Sequence, residues 1–193
     1  MSSYVPYNSN VATTSYSEVD EQSRQYELLE QLQILVHKLP MSLQQRLSHS
    51  LLSDIAAALL DRAIFTIVGD LEEIQHLTEK NLYTQRQKLL VDQKGLKQEL
   101  RIKQREEIQT CRPHNLNVMK QQHEKQKSDL EKRLQTEVLR MDERILHELD
   151  QKVTGQQATL QSAGVPGFFV TDKQEEIKLQ MAILQLIKDI ARA

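Results

Sequence analysis

The sequence predicts an all-α protein in which a small helical head carries a long antiparallel coiled-coil hairpin. Three observations lead there. From Asp70 to Gln161 the chain is dominated by Glu, Lys, Arg, Gln and Leu, and outside one interruption its only glycines are Gly95 and Gly155. Straight-chain residues lose little rotamer freedom in a helix, so this stretch favours long helices. The interruption, Cys111-Arg112-Pro113-His114-Asn115, supplies a corner. Apolar residues gather before Gly69 and again at the C-terminus, where they can close a head.

Residues 1–17 are rich in Ser, Asn and Thr without an apolar period, and are expected to form a disordered tail. The head is expected over 18–69. Its first helix should start at Glu18 or Asp20 and stop before Pro40, because a residue preceding Pro avoids the helical region. Leu28, Leu32, Leu35 and Leu39 form its seam, widened by Ile34 and Val36. Ser42 and Gln45 fit a capping box for the next segment, with a second start possible at Ser53-Asp54. From Leu51 to Val68 apolar residues cover most of the helix surface, so that helix should be buried on several sides. Gly69 is read as the exit from the head.

The arms are expected over 70–161. Leu82, Leu89 and Leu96 fall a heptad apart, but the companion positions Arg86 and Gln93 are polar. The second arm, Leu116 to Gln161, has a fuller seam of Leu134, Val138, Met141, Ile145, Leu149 and Val153. At ~1.5 Å per residue each arm spans about 60–70 Å. Pro113 allows either a fold-back hairpin or a kinked helix in a parallel dimer. The thin seam and the basic residues beside it favour the fold-back.

Residues 162–193 should form a turn and an apolar terminal helix. Gly164 followed by Pro166 reads as a left-handed helix cap. Phe168 and Phe169 are adjacent, and leaving both rings in water would forfeit roughly 2–3 kcal/mol each. They are expected to anchor the turn, with the helix containing Phe65 as the candidate surface. Thr171 or Asp172 should cap the last helix, with Glu175 and Glu176 in its first turn. That helix carries two seams, Leu179-Ile183-Leu186-Ile190 and Ile177-Met181-Leu184-Ile187, so it closes the head or binds another chain.

Little in the sequence points to chemistry. His123-Glu124 and His147-Glu148 begin zincin-like motifs, but the second histidine is replaced by Lys127 and Gln151. No metal, cofactor, catalytic group or small-molecule substrate is expected. Cys111, the only cysteine, suits a reducing compartment and reads as a corner thiol. The N-terminus shows no signal-peptide pattern, and Leu51–Val68 is too short and too charged for a membrane span. These features suggest an intracellular protein. Net charge is −2, which gives no general attraction to nucleic acid.

One charge pattern stands out. Lys97, Arg101 and Arg105 form an i, i+4 column, with Lys94 and Lys103 close by. Like charges at that spacing weaken a lone helix, so the column calls for an acidic neighbour, within the chain or in a second copy, or for a polyanionic partner. In a folded-back arm Lys97 would lie opposite the Asp129–Glu131 region. The expected function is a non-enzymatic adaptor, a possible homodimer, binding proteins through Leu184, Ile187, Phe168, Phe169 and the column Lys97, Arg101 and Arg105. The alternative is a nucleic-acid-associated nuclear protein using the basic residues of 94–105.

Several runs carry a resemblance: LPMSLQQRLS from Leu39, LSDIAAALLD from Leu52, EIQHLTEKNLYTQRQKL from Glu73, CRPHNL from Cys111 and LDQKVTGQQATLQSAGVPGFFVT from Leu149. Together they resemble the gonadal family, which has insect members and a vertebrate branch, the DiGeorge syndrome critical region protein six. The match covers about Tyr26 to Ile187 and looks most like the insect branch. The resemblance implies coiled-coil proteins without known enzymatic activity, with roles in gonad and neural crest development and a nuclear and cytoplasmic location. It brings no catalytic residues.

Overall fold

The computed structural model describes residues 11–192, with side chains from residue 20 onward, and among them every regular element is helical. The α-helices are α1 (Val11–Val36), α2 (Met41–Gln44), α3 (His49–Ala58), α4 (Ala63–Thr110), α5 (Leu116–Ser162) and α6 (Gln174–Ala191). The expected tail lies outside the described residues as far as residue 10. Helical backbone starts at Val11, ahead of the expected Glu18 or Asp20, since no Gly or Pro stands between Pro6 and Pro40 to break it. The chain forms two compact units. One contains the residues up to Glu73 and from Val153 onward, the other Ile74–Lys152.

In the first unit α1 packs on α3 and α6. Leu32 and Val36 enter the core, with Leu28, Leu35 and Leu39 against it. Ile34 does not widen this seam and stays 54% exposed. Two residues along a helix is about 200° of rotation, which points it away from Leu32 and Val36.

The segment after Pro40 differs from expectation. No capping box forms at Ser42, because α2 starts two residues earlier than such a cap requires, with Pro40 at the N-cap. Gln44 instead reaches backward, its Nε2 donating to the carbonyl of Leu39 at 2.7 Å and of His37 at 3.3 Å. It thereby satisfies carbonyls left unpaired beyond the end of α1. The working cap is Ser48, whose hydroxyl accepts from the Leu51 N–H at 3.2 Å. A further break, not expected, separates α3 from α4 within the apolar run. There Asp61 Oδ1 accepts from the Ala63 N–H at 2.9 Å, a local turn that competes with helix continuation. Gly69 does not end anything. α4 runs through both Gly69 and Gly95.

The expected cap at Gly164 is present, with φ +76°. Val165 N–H donates to Leu160 O and Gly164 N–H to Gln161 O, each at 3.0 Å, while Leu160 and Val165 are both buried. This is a Schellman termination with its hydrophobic contact. Gly167 has φ +84°, and a Cβ there would stand 2.8 Å from Ile183 Cδ1 and 3.8 Å from Leu51 Cδ1. The turn therefore seats directly on α6 and α3. Phe168 joins the core, and Phe65 packs against that same core. In α6 Leu179, Ile183, Leu186 and Ile190 are buried, each worth roughly 1.5–3 kcal/mol. The N-cap of α6 is Lys173, not Thr171 or Asp172. Thr171 is held two residues upstream by Gln157, and its hydroxyl accepts from the Lys173 N–H instead.

The second unit is the fold-back hairpin. Side-chain partners close in toward the corner, from Arg86–Asp142 (56 residues apart) through Gln93–Leu134 (41) to Gln104–His123 (19), so the helices are antiparallel. Arg112 is extended at ψ 143°, as a residue before Pro must be. Pro113–Asn115 then makes a 3-10 turn that leads into α5. Polar residues occupy the positions where the first arm lacks leucines. Arg86 grips Asp142 with two hydrogen bonds, at 2.7 and 3.1 Å. Buried Gln93 donates to the Leu134 carbonyl at 2.9 Å and to Glu137 at 3.3 Å. Leu96, by contrast, is 39% exposed.

Candidate protein-interaction surfaces

The residues expected to contact partners separate into buried and accessible sets. Ile187 is fully buried and Phe168 nearly so, which corrects their assignment as contact residues; both belong to the head core. Ile187 lies one position from Leu186, and α6 is covered widely enough by α1 and the turn for both seams to be drawn inward on that side. Leu184 is half-buried against the core, and Phe169 stays 43% exposed beside Val170. What remains of the second seam is Ile177, Met181 and Leu184, with Met181 64% exposed and its neighbours half-buried.

The turn that presents Phe169 is fixed by two amides that sequence reasoning did not single out. Gln157 Nε2 donates to Gln180 Oε1 and to the Thr171 carbonyl, and Gln157 Oε1 accepts from the Thr171 N–H. Gln180 Nε2 donates to the carbonyls of Phe169 and Gly167. Arg46 closes the start of α6, bonding to the Glu175 carbonyl and pairing with Glu176 at 2.9 Å. Near the other end Lys188 pairs with Glu72 at 3.3 Å. Glu175 is held below its ordinary carboxylate value, chiefly by the hydrogen bond from Lys178, then by the charges of Lys178 and Arg46.

In the hairpin, Lys97, Arg101 and Arg105 are exposed, and among the described residues none makes an ion pair. Within the chain the expected pairing with Asp129–Glu131 does not form among the described residues, and both of those carboxylates are exposed. Arg101 and Arg105 instead line an open cleft of about 690 Å³ near the corner, with Ile108 and Gln109 of α4 and Lys120 and Glu124 of α5. Lys120 was not singled out, although folding back at Pro113 brings it level with Arg105. The cleft floor is tied down. Gln104 Nε2 donates to the His123 carbonyl at 3.0 Å, and buried His123 Nε2 lies 2.6 Å from Glu107 Oε2.

Of the zincin-like pairs, His147 bonds Gln151 and Glu148 pairs with Arg144, while in the first only His123 is engaged, by Glu107. Among the described residues no three His, Cys, Asp or Glu side chains gather as a metal site, and no helix is long and apolar enough to cross a membrane. Cys111 is half-buried at the corner, its Sγ 3.4 Å from the Arg112 carbonyl. Asp142 is held below its ordinary value by the Arg86 hydrogen bond foremost, against an opposing effect of burial and with help from the Arg86 charge.

Comparison with known proteins accounts for the recurring strings. The profile of the DiGeorge syndrome critical region 6 (DGCR6) protein family matches residues 6–193. Protein DGCR6 of Gallus gallus is 52% identical over 170 residues, covering 88% of this chain and 85% of the relative. Gonadal protein gdl of Drosophila melanogaster is 39% identical over 173 residues, covering 89% and 81%. Of these two, the vertebrate protein is the more similar, which corrects the expected leaning to the insect branch. No solved structure matches the chain. With almost its whole length matched and about half its residues shared with one relative, the chain belongs to the DGCR6 family, the gonadal family that its sequence resembles.

Proposed function

We propose that this chain is a non-enzymatic helical adaptor that self-associates through its head and recognises other proteins along its hairpin, used as a coiled-coil arm. The observation that carries this is the outer seam of α6. Ile177, Met181 and Leu184 follow i, i+4, i+7 spacing on a helix whose other seam is already in the core, yet Met181 is 64% exposed. Such a stripe is the usual anchor pattern for a second helix. An antiparallel contact of α6 with α6 of a second copy, centred on Met181, would cover the stripe on both chains at once. The relatives' names, a gonadal protein and a DiGeorge syndrome critical region protein, support a developmental setting, and the lone Cys111 fits a nuclear or cytoplasmic adaptor.

Sedimentation of the full chain and of Met181→Asp tests this. The parent chain should sediment as a dimer of its 22.4 kDa mass and the variant as a monomer, with unchanged helical content. A parent chain that stays monomeric at micromolar concentration overturns the self-association.

A further inference from the structure

The basic column remains outside the head's role, and its placement is specific. Elsewhere in the hairpin three arginines find carboxylates, Arg86 with Asp142, Arg133 with Glu137 and Arg144 with Glu148, while exposed Arg112 and Arg140 stand singly outside the cleft. Arg101 and Arg105 find no carboxylate, and neither does Lys120 across the same cleft, among the described residues. Three unpaired cations thus surround one opening against a single carboxylate, Glu124, which is itself unpaired. Holding like charges an i, i+4 step apart costs a helix a few tenths of a kcal/mol, and nothing within the hairpin offsets it.

We propose that this cleft is a docking site for an acidic segment of a partner protein, a helix carrying carboxylates at i, i+4 spacing. The proposal rests on the adaptor reading and names what the arm recognises. Arg101 and Arg105 stand four residues apart, about 6 Å along α4, which matches the spacing of carboxylates at i, i+4 on a partner helix. A guanidinium takes a carboxylate through two parallel hydrogen bonds, and Lys120 adds a third positive charge from the facing helix. Ile108, 39% exposed in the cleft wall, offers an apolar contact for the partner's intervening methylenes. The floor is already committed, since Gln104 and His123 bond within the hairpin, so the polar groups left to reach a ligand are the three cations with Gln109 and Glu124. Nucleic acid fits less well. The one aromatic ring in the lining, His123, is buried and bonded to Glu107, so no base can stack on it.

The test is fluorescence anisotropy with the full chain and a dye-labelled peptide of repeated Glu-Ala-Ala-Ala. The parent should bind it saturably, more weakly as salt rises. Arg101→Gln/Arg105→Gln should lose about tenfold in affinity and Lys120→Gln a smaller factor. Lys80→Gln/Lys88→Gln, which removes the same charge from exposed sites farther along α4, should change it less than about twofold. Gln and Arg have similar helix propensity, so both double variants should keep the parent's circular dichroism. No saturable binding by the parent, an equal loss in the control variant, tighter binding of duplex DNA, or competition by inorganic phosphate at peptide-equivalent concentration would each overturn the proposal. Absent peptide binding by a chain that still dimerises removes the cleft alone, whereas peptide binding by a monomeric chain removes the head contact alone.

Discussion

Gln157 Nε2 donates to Gln180 Oε1 at 2.9 Å, joining the last turns of α5 to α6 through two buried amides. Between them these side chains satisfy Thr171 on both backbone groups and hold the carbonyls of Phe169 and Gly167. The non-helical turn can thus cross the head core with these polar groups paired, and Phe169 is presented at its surface.

Gln157→Leu should therefore be costly. It leaves Gln180 Oε1 unpaired in a buried site and both Thr171 backbone groups without their partner in a half-buried one, for a loss of about 2–3 kcal/mol. The double variant Gln157→Leu/Gln180→Leu should cost less than the two single losses added, because the partners are removed together. Urea denaturation followed by circular dichroism measures both; a single-variant loss below about 1 kcal/mol would show that the network is dispensable.

The glycines divide into two kinds. Gly69 and Gly95 are helical, and a Cβ added at either would meet nothing within 4 Å, so each change to Ala should stabilise by about 0.5–1 kcal/mol. Gly167→Ala should do the reverse, since φ is +84° and Ile183 Cδ1 would stand 2.8 Å away. Thermal melts of the three variants give the signs directly.

These contrasts also mark what the sequence could reveal. Helix periods, the corner at Pro113 and the Gly164 cap depend on residues close in the chain, and each emerged from local pattern. The caps were harder. A Ser-x-x-Gln string at Ser42 is compatible with several helix starts, and Pro40 decided among them by taking the N-cap itself. The break at Asp61 was hidden inside an apolar run, signalled only by one residue prone to turns. Polar seam residues were least legible, because Arg86 and Gln93 make sense only beside Asp142 and Leu134, 56 and 41 residues away. For the contact surface the same limit applied: the spacing of Ile187 and Met181 is alike in the sequence, and only packing buries one and exposes the other.

Gln93 occupies a leucine position in the hairpin, so Gln93→Leu should strengthen the pair. The Leu134 carbonyl lies in the middle of α5 and keeps its helical hydrogen bond, so losing the amide orphans no acceptor there. Added apolar burial should then raise stability by about 1 kcal/mol. A buried polar residue also fixes register, and the variant should accordingly form additional oligomers. Denaturation midpoints read the first effect and sedimentation the second; a destabilised variant would mean that the Gln93 bonds outweigh burial.

The Arg86–Asp142 pair gives the hairpin an acid limb. Asp142 is depressed from an ordinary 3.8, so its contribution is fully present above that value and is lost as pH falls through the depressed one. Stability should decline from about pH 5 downward. Asp142→Asn should be less stable than the parent near neutrality and should decline less on acidification. Glu175, depressed mainly by Lys178, contributes in the same direction and leaves part of the slope in the variant. Identical acid profiles for the parent and Asp142→Asn would remove the pair from that account.

Ile187 and Met181 separate packing from recognition on one helix. Ile187 is fully buried in the head core, and truncation to Ala removes apolar area and leaves a cavity, for a loss of about 2–5 kcal/mol. Met181 is 64% exposed, so Met181→Asp should change the stability of the isolated chain by no more than about 0.5 kcal/mol. At dilutions where the chain is monomeric, urea midpoints should therefore shift for Ile187→Ala and not for Met181→Asp. At higher concentration the order reverses in one respect: self-association stabilises whatever folds to the dimer, and only the parent and Ile187→Ala should gain stability with concentration. A concentration-dependent midpoint in Met181→Asp would move the contact away from the outer seam of α6.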